Sequence, residues 1–127
     1  MEIVSALFVE NIELRQVPGP STRIDLSGVF FSLPLRDFPS LIEPHLVVMV
    51  REPEGGGELA TLQVKFMRGD EEVAANRQTF AVEPGKFGYR LVKPNLTFDG
   101  PGTVLAVCKI LESGSTVIVP LTVIPSL

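Results

Sequence analysis

Residues 103–123, TVLAVCKILESGSTVIVPLTV, form two apolar runs separated by Ser113-Gly114. With those two residues as the turn, Ile110 faces Val117, Cys108 faces Val119, Ala106 faces Leu121 and Val104 faces Val123. Side chains alternate across a strand, so one face of this hairpin is wholly apolar. The rest of the chain has to cover it. The opposite face carries Leu105, Val107 and Leu111 against Thr116, Ile118, Pro120 and Thr122, with Lys109 its only charge. A sheet face in contact with water is ordinarily more polar than this. Two arrangements would cover it: a loop of the same chain, for which the proline-rich stretch 33–42 is the candidate, or another subunit. Leu105, Val107, Leu111, Ile118 and Pro120 are therefore the candidate interface residues, and a homodimer is the expected assembly.

The chain has 127 residues, the size of one domain spanning 1–127. A chain this long buries about two-thirds of its unfolded surface, enough to fold without a disulfide or metal. Its single cysteine, Cys108, cannot form an intramolecular disulfide, which suits a reducing compartment. The net charge is −4, and the 11 lysines and arginines are scattered with no basic tract or basic-aromatic stripe. That argues against nucleic acid as a partner. Residues 3–9 are apolar, but they are bounded by Glu2 and Glu10 and lack a basic leader and a small-residue cleavage pattern. No apolar run approaches the ~20 residues of a membrane-spanning helix. The expectation is a cytoplasmic protein with no membrane partner. Hydrophobic residues make up 45% of the chain and charged ones 20%. This balance implies a large core or apolar surface hidden by self-association.

Working outward from the hairpin, residues 3–10 read as a strand apolar on both faces, hence central, and 12–17 extend it or form a second strand. Pro18-Gly19-Pro20-Ser21 is a stop. Residues 23–31 alternate, with Gly28 marking a bulge or a close backbone approach. Three prolines, Pro34, Pro39 and Pro44, break the stretch 32–44, whose Leu33, Leu35, Phe38, Leu41 and Ile42 suit a connection packed over an open end. Residues 40–43 could make one helical turn. HLVVMV at 45–50 suits the middle of a sheet, and 52–58 is an exposed loop. Residues 59–67 alternate cleanly, Gly69-Asp70 is a hairpin turn, and 72–82 returns as an edge strand. A helix over 70–76 is the rival reading. Phe87, Tyr89 and Leu91 share one phase while Leu96 and Phe98 take the other, so a bulge or chain crossing falls at Pro94. Pro120 places the last strand at an edge or a bulge. The sum is an all-β chain of roughly seven to nine short strands with at most one short helical turn, a single-domain antiparallel β-sandwich ahead of a barrel.

Chemistry-bearing residues are few. His45 is the only histidine, so a Ser-His-Asp site would have to use it. It stands at the entrance of an apolar strand, where a histidine bonded to backbone or water is the simpler reading. Cys108 lies on the apolar face and reads as a structural thiol. One His and one Cys cannot make a structural zinc site, so no metal or cofactor is expected. Asp37, His45 and Asp99 fall in loops and form a candidate ligand or ion site at one end of the sandwich. Arg68-Gly69-Asp70 spells an integrin-recognition tripeptide and Asn95-Leu96-Thr97 a glycosylation sequon, but no export signal accompanies either. No acid-base or nucleophile cluster emerges, and a non-enzymatic protein is expected.

Several motifs span nearly the whole chain: Ala6-x-Phe8-x-Glu10, Leu26-Ser27-Gly28-Val29-Phe30, Phe38-Pro39 leading to Pro44-x-Leu46-Val47-Val48, and Gly102-x-Val104 through Gly114 to Pro120-Leu121-x-Val123. In these the sequence resembles a group of small bacterial proteins of unknown function with immunoglobulin-like sandwiches. The resemblance implies that fold and carries no catalytic residues to transfer. The expected role is a protein-interaction or structural module whose partner is itself or an unidentified protein. The alternative is a sandwich that binds a small ligand or ion through its loops.

Overall fold

The computed structural model describes residues 1–19 and 22–126. Every regular element among them is a strand: β1 (Glu2–Gln16), β2 (Thr22–Val29), β3 (Ser32–Leu35), β4 (Ser40–Ile42), β5 (His45–Arg51), β6 (Ala60–Arg68), β7 (Glu71–Phe80), β8 (Phe87–Val92), β9 (Leu96–Phe98), β10 (Gly102–Ile110) and β11 (Thr116–Pro125). One sheet has the order β2-β1-β5-β8 and a second the order β3-β11-β10-β6-β7, while β4 and β9 make a two-stranded ribbon. The inner rows of the two larger sheets meet in one buried cluster, so the architecture is a β-sandwich. All the ladders are antiparallel except β3 with β11, which is parallel. The eleven strands exceed the expected count. The excess lies in β3, β4 and β9, of three or four residues each, in stretches too short for alternation to show.

Alternation dictates the core. On β6, Ala60, Leu62, Val64 and Phe66 are buried; on β10, Val104, Ala106, Cys108 and Ile110. Leu46, Val48 and Val50 of β5 face them from the other sheet. On β1 and β5 the outward Val9 and Val47 are buried as well, in keeping with strands apolar on both faces. β1 continues to Gln16. The stop at Pro18-Gly19-Pro20-Ser21 lies partly outside the described residues. Gly28 sits at φ +69 opposite Glu10, whose side chain lies where a Cβ would be, within 2.6 Å. The close approach read from the sequence is therefore real, and it requires glycine.

Three expectations need correction. The β10–β11 register is shifted by two residues: Cys108 pairs with Val117, Ala106 with Val119 and Val104 with Leu121. The turn is not Ser113-Gly114 alone but residues 111–114. Ile110 N–H donates to Ser115 O at 2.9 Å and Gly114 N–H to Ile110 O at 2.8 Å, with Gly114 at φ 78. A shift of two preserves parity, so the apolar face survives. Residues 40–43 form no helical turn; β4 pairs Ser40 with Phe98 and Ile42 with Leu96. The strand expected over 72–82 holds against the rival helix over 70–76: β7 runs from Glu71 to Phe80, with Arg68 opposite Glu71 across the two-residue turn. Glu52 is buried rather than part of an exposed loop. Its carboxylate meets the Met1 amine at 3.2 Å, and its backbone bonds Lys86 O and Gly85 N–H.

The stretch 32–44 divides its work. β3 extends the second sheet sideways, while Phe38, behind a cis bond to Pro39, and Ile42 pack on the core. The chain crosses at Pro94 as expected, carrying Leu96 and Phe98 into the core from the β4–β9 ribbon.

Truncating a fully buried ring should be costly. Phe66→Ala is expected to lower unfolding stability by about 3–5 kcal/mol in a urea titration, and Leu14→Ala, on an exposed position, by about 0.5 kcal/mol or less.

Candidate functional site

The outer face of the closing hairpin is not covered by the segment 33–42. β3 lies beside β11 in the plane of the sheet, paired from Thr122 onward. Ile118 is 56% exposed, Leu105 38% and Leu111 37%; Pro120 is exposed and Val107 half-buried. Across this face Val107 pairs with Ile118 and Leu105 with Pro120, so four of the five candidate interface residues are direct neighbours. Leu111 lies apart, in the loop. Beyond Met67, opposite Leu105, the face turns polar. Lys65 stands opposite Val107 and is 3.8 Å from Glu72, and Arg77 donates to Gln63 at 2.6 Å. The apolar strip is thus confined to β10, β11 and Met67.

The strip runs into an apolar groove of about 260 Å³, where Leu7, Phe8, Val29 and Phe31 face Ile118 and Pro120. The groove exists because β3 joins β11 only at Thr122, which leaves residues 116–121 without a neighbour on that edge. Phe31, in the crossing from β2 to β3, is 78% exposed. Pro120 has no N–H to offer, which weakens this edge as a template for further strand pairing. Sequence reasoning found the β11 wall but not Phe31 or Val29, whose place depends on where the chain crosses between sheets.

The β4–β9 ribbon separates the three loop residues. Asp37 and Asp99 lie at its Ser40–Phe98 end, and His45 lies beyond its Ile42–Leu96 end, paired with Val9. Asp37 and Asp99 are exposed; His45 is half-buried with Nδ1 enclosed and without a hydrogen-bond partner. None of the three lines the groove above or the cleft described next. Among the described residues, no group of three or more His, Cys, Asp or Glu side chains is placed to hold a metal ion. Arg68 of the RGD tripeptide is engaged, its guanidinium donating to Thr97 O at 2.6 Å and lying 5.1 Å from the centre of the Phe98 ring. Ser113 donates to Met1 O at 2.6 Å, and Glu112 accepts from Thr61 N–H at 2.7 Å and from its hydroxyl at 2.9 Å. The Thr61 backbone bond is the main reason the Glu112 carboxyl titrates below the usual range.

A second cleft, of about 640 Å³, lies between β7 and β8 and is lined by Gln78, Phe80, Val82, Lys86, Phe87 and Arg90. Hydrophobic phase groups Phe87, Tyr89 and Leu91, but the β5 ladder sets Gly88, Arg90 and Val92 in line with the inward Val50, Val48 and Leu46. Phe87 is consequently 66% exposed, and Arg90 points between the sheets with its guanidinium carbon 4.3 Å from the centre of the Phe80 ring. Gly88 is required by packing: an added Cβ would stand 2.6 Å from a Val82 methyl. Sequence reasoning missed Arg90, because the phase of β8 is set by its ladder with β5 and not by its own spacing.

No helix among the described residues is long and apolar enough to cross a membrane. No known family model matches the chain, and no curated protein matches it.

Cys108 is buried on the inner face of β10, and desolvation pushes its thiol up to about 12 from 9.0. An acid whose folded pKa is raised favours the native state fully below the unfolded value and loses that contribution as pH rises toward the folded one. Stability should therefore fall between about pH 9 and pH 12 through this group, and Cys108→Ala should flatten that decline in pH-dependent urea titrations. In the native protein at pH 8 the thiol should react with a thiol reagent only as fast as the chain unfolds.

Proposed function

We propose that this chain is a non-enzymatic, immunoglobulin-like β-sandwich module that acts by binding protein, with a second copy of itself as the first partner. The strand order supports the immunoglobulin-like reading. β5 lies beside β8 in one sheet, and β6, β10 and β11 are neighbours in the other, matching the B-E and C-F-G arrangement of that fold. β1 then occupies the place of the first strand and β2 is an addition beyond it. Kinship with the small bacterial sandwiches rests on the motifs they share with this chain. A cytoplasmic setting fits the lone buried thiol.

The observation that carries the binding reading is the continuous apolar surface around β11, from Leu105 and Val107 over Ile118 and Pro120 to Val29 and Phe31. An exposed phenylalanine beside an exposed isoleucine and proline, rimmed by Lys65 and Lys109, has the apolar centre and charged margin of an association surface. Self-association is favoured because the surface is uniform in character, and a two-fold contact requires only that one patch complement itself.

Light scattering coupled to size exclusion over a concentration series tests it. A dimer is expected, and Ile118→Glu, at an exposed position, should weaken it by about tenfold or more while leaving the unfolding midpoint within a few degrees. A monomer at every concentration, or a dimer indifferent to Ile118→Glu, would remove the reading.

A further inference from the structure

The sandwich has two open sides, and they differ in chemistry. The side between β2 and β3 holds the apolar groove; the side between the edge strands β7 and β8 is polar and charged. On that second side the register of β8 overrides its own hydrophobic phase. It sends an arginine, not a phenylalanine or leucine, between the sheets. Departures from the local pattern of this kind are expected where function, not packing, chose the residue.

Among the described residues Arg90 has no counter-charge. The ion pairs among the described residues use Met1, Arg15, Arg51, Lys65 and Lys86. Its Nε is enclosed and makes no hydrogen bond. Two other polar side chains of the cleft are already engaged. Lys86 is 2.6 Å from Glu83, and the Gln78 amide donates to Asn76 and to Leu91 O, each at 2.9 Å. The guanidinium is thus stacked on Phe80, and its terminal N–H groups make no hydrogen bond among the described residues, an arrangement suited to a carboxylate.

The main chain beside it is also free. Glu52 N–H donates to Lys86 O, so in an antiparallel ladder residues 86, 88, 90 and 92 turn their backbone groups toward β5. Phe87, Tyr89 and Leu91 turn theirs to the open side, where among the described residues β8 has no neighbouring strand and only Leu91 O is engaged, by Gln78.

We propose that the edge of β8 receives an extended peptide segment, bonded to the main chain of Phe87 and Tyr89, whose acidic side chain enters the cleft and pairs with Arg90. A residue of the added strand opposite Arg90 points to the same side of the sheet and lies about 5 Å away. Backbone pairing supplies affinity and the Arg90–carboxylate bond supplies selection, the division of labour in strand addition. The site lies at the opposite edge from the apolar groove and is independent of self-association.

The test uses the full chain and an array of end-capped seven-residue peptides. Their central residue is Glu, Asp, Gln or Asn, and their flanks are varied β-branched residues. Binders should come from the Glu and Asp sets. In solution they should shift the amide resonances of Phe87 and Tyr89. Arg90→Gln should weaken them about tenfold or more, while Arg90→Lys retains part of the affinity. Each variant's amide spectrum reports whether it is folded, and Gln78→Ala provides a second probe. By freeing Leu91 O for the added strand, it should leave binding equal or tighter. The proposal is overturned if no peptide binds, if the Gln and Asn peptides bind as well as the acidic ones, or if Arg90→Gln folds and binds unchanged. It is also overturned if free glutarate binds as tightly as the peptides, which would make the cleft a small-anion site.

Discussion

The inner row of β10, Val104, Ala106, Cys108 and Ile110, has essentially no contact with water, and the architecture follows from keeping it so. Alternation puts these four side chains on one face and cannot be relieved by twisting the strand. The face must be flanked within its sheet and roofed from outside it. β6 and β11 flank it with rows that are likewise apolar. β1 and β5 roof it, and they can lie at the centre of their own sheet because both of their faces are apolar. The β4–β9 ribbon brings Phe98 and Leu96 to an end the large sheets leave open. Each fully buried side chain of this size contributes roughly 1.5–3 kcal/mol, so a few such rows dominate the stability of the domain.

What the core does not need is distributed over the two open sides. Where β3 joins β11 late, an apolar groove remains, bounded by Phe31 and Ile118. Where β7 and β8 face each other, Asn76, Gln78 and Arg90 stand at inward positions in place of apolar residues. Both features come from strand ends and crossings, and neither disturbs the central rows. A fold with a dry centre and two chemically distinct margins can vary its partners without altering its core.

Much of this was legible in the sequence where the pattern was long and clean. The alternation over residues 59–67, the Gly69-Asp70 turn and the two-faced apolar character of β1 and β5 follow from period-two spacing alone. Ile118 and Pro120 could be placed on an outer face because parity survives a two-residue register error. The error itself arose because Leu111 and Glu112 look like strand, whereas Glu112 is drawn to Thr61 and makes the turn four residues long. β4 and β9 are too short to carry a period, and their pairing depends on a partner more than fifty residues away. Arg90 was invisible for a different reason. The phase of β8 is set by β5 and by Val82 pressing on Gly88, contacts that local spacing does not encode. Glu52 was hidden likewise, since its burial depends on the Met1 amine.

Amide hydrogen exchange along β8, followed residue by residue in the native protein by NMR, tests the account most directly. It reads the register and the open edge together. The account predicts an alternation: Gly88, Arg90 and Val92 protected by β5, and Phe87, Tyr89 and Leu91 exchanging orders of magnitude faster. Protection at Phe87, Tyr89 and Leu91 with fast exchange at Gly88 and Arg90 would put β8 in the opposite phase, and uniform protection would mean the edge is already covered. Either result would contradict the inward placement of Arg90 beside a free strand edge.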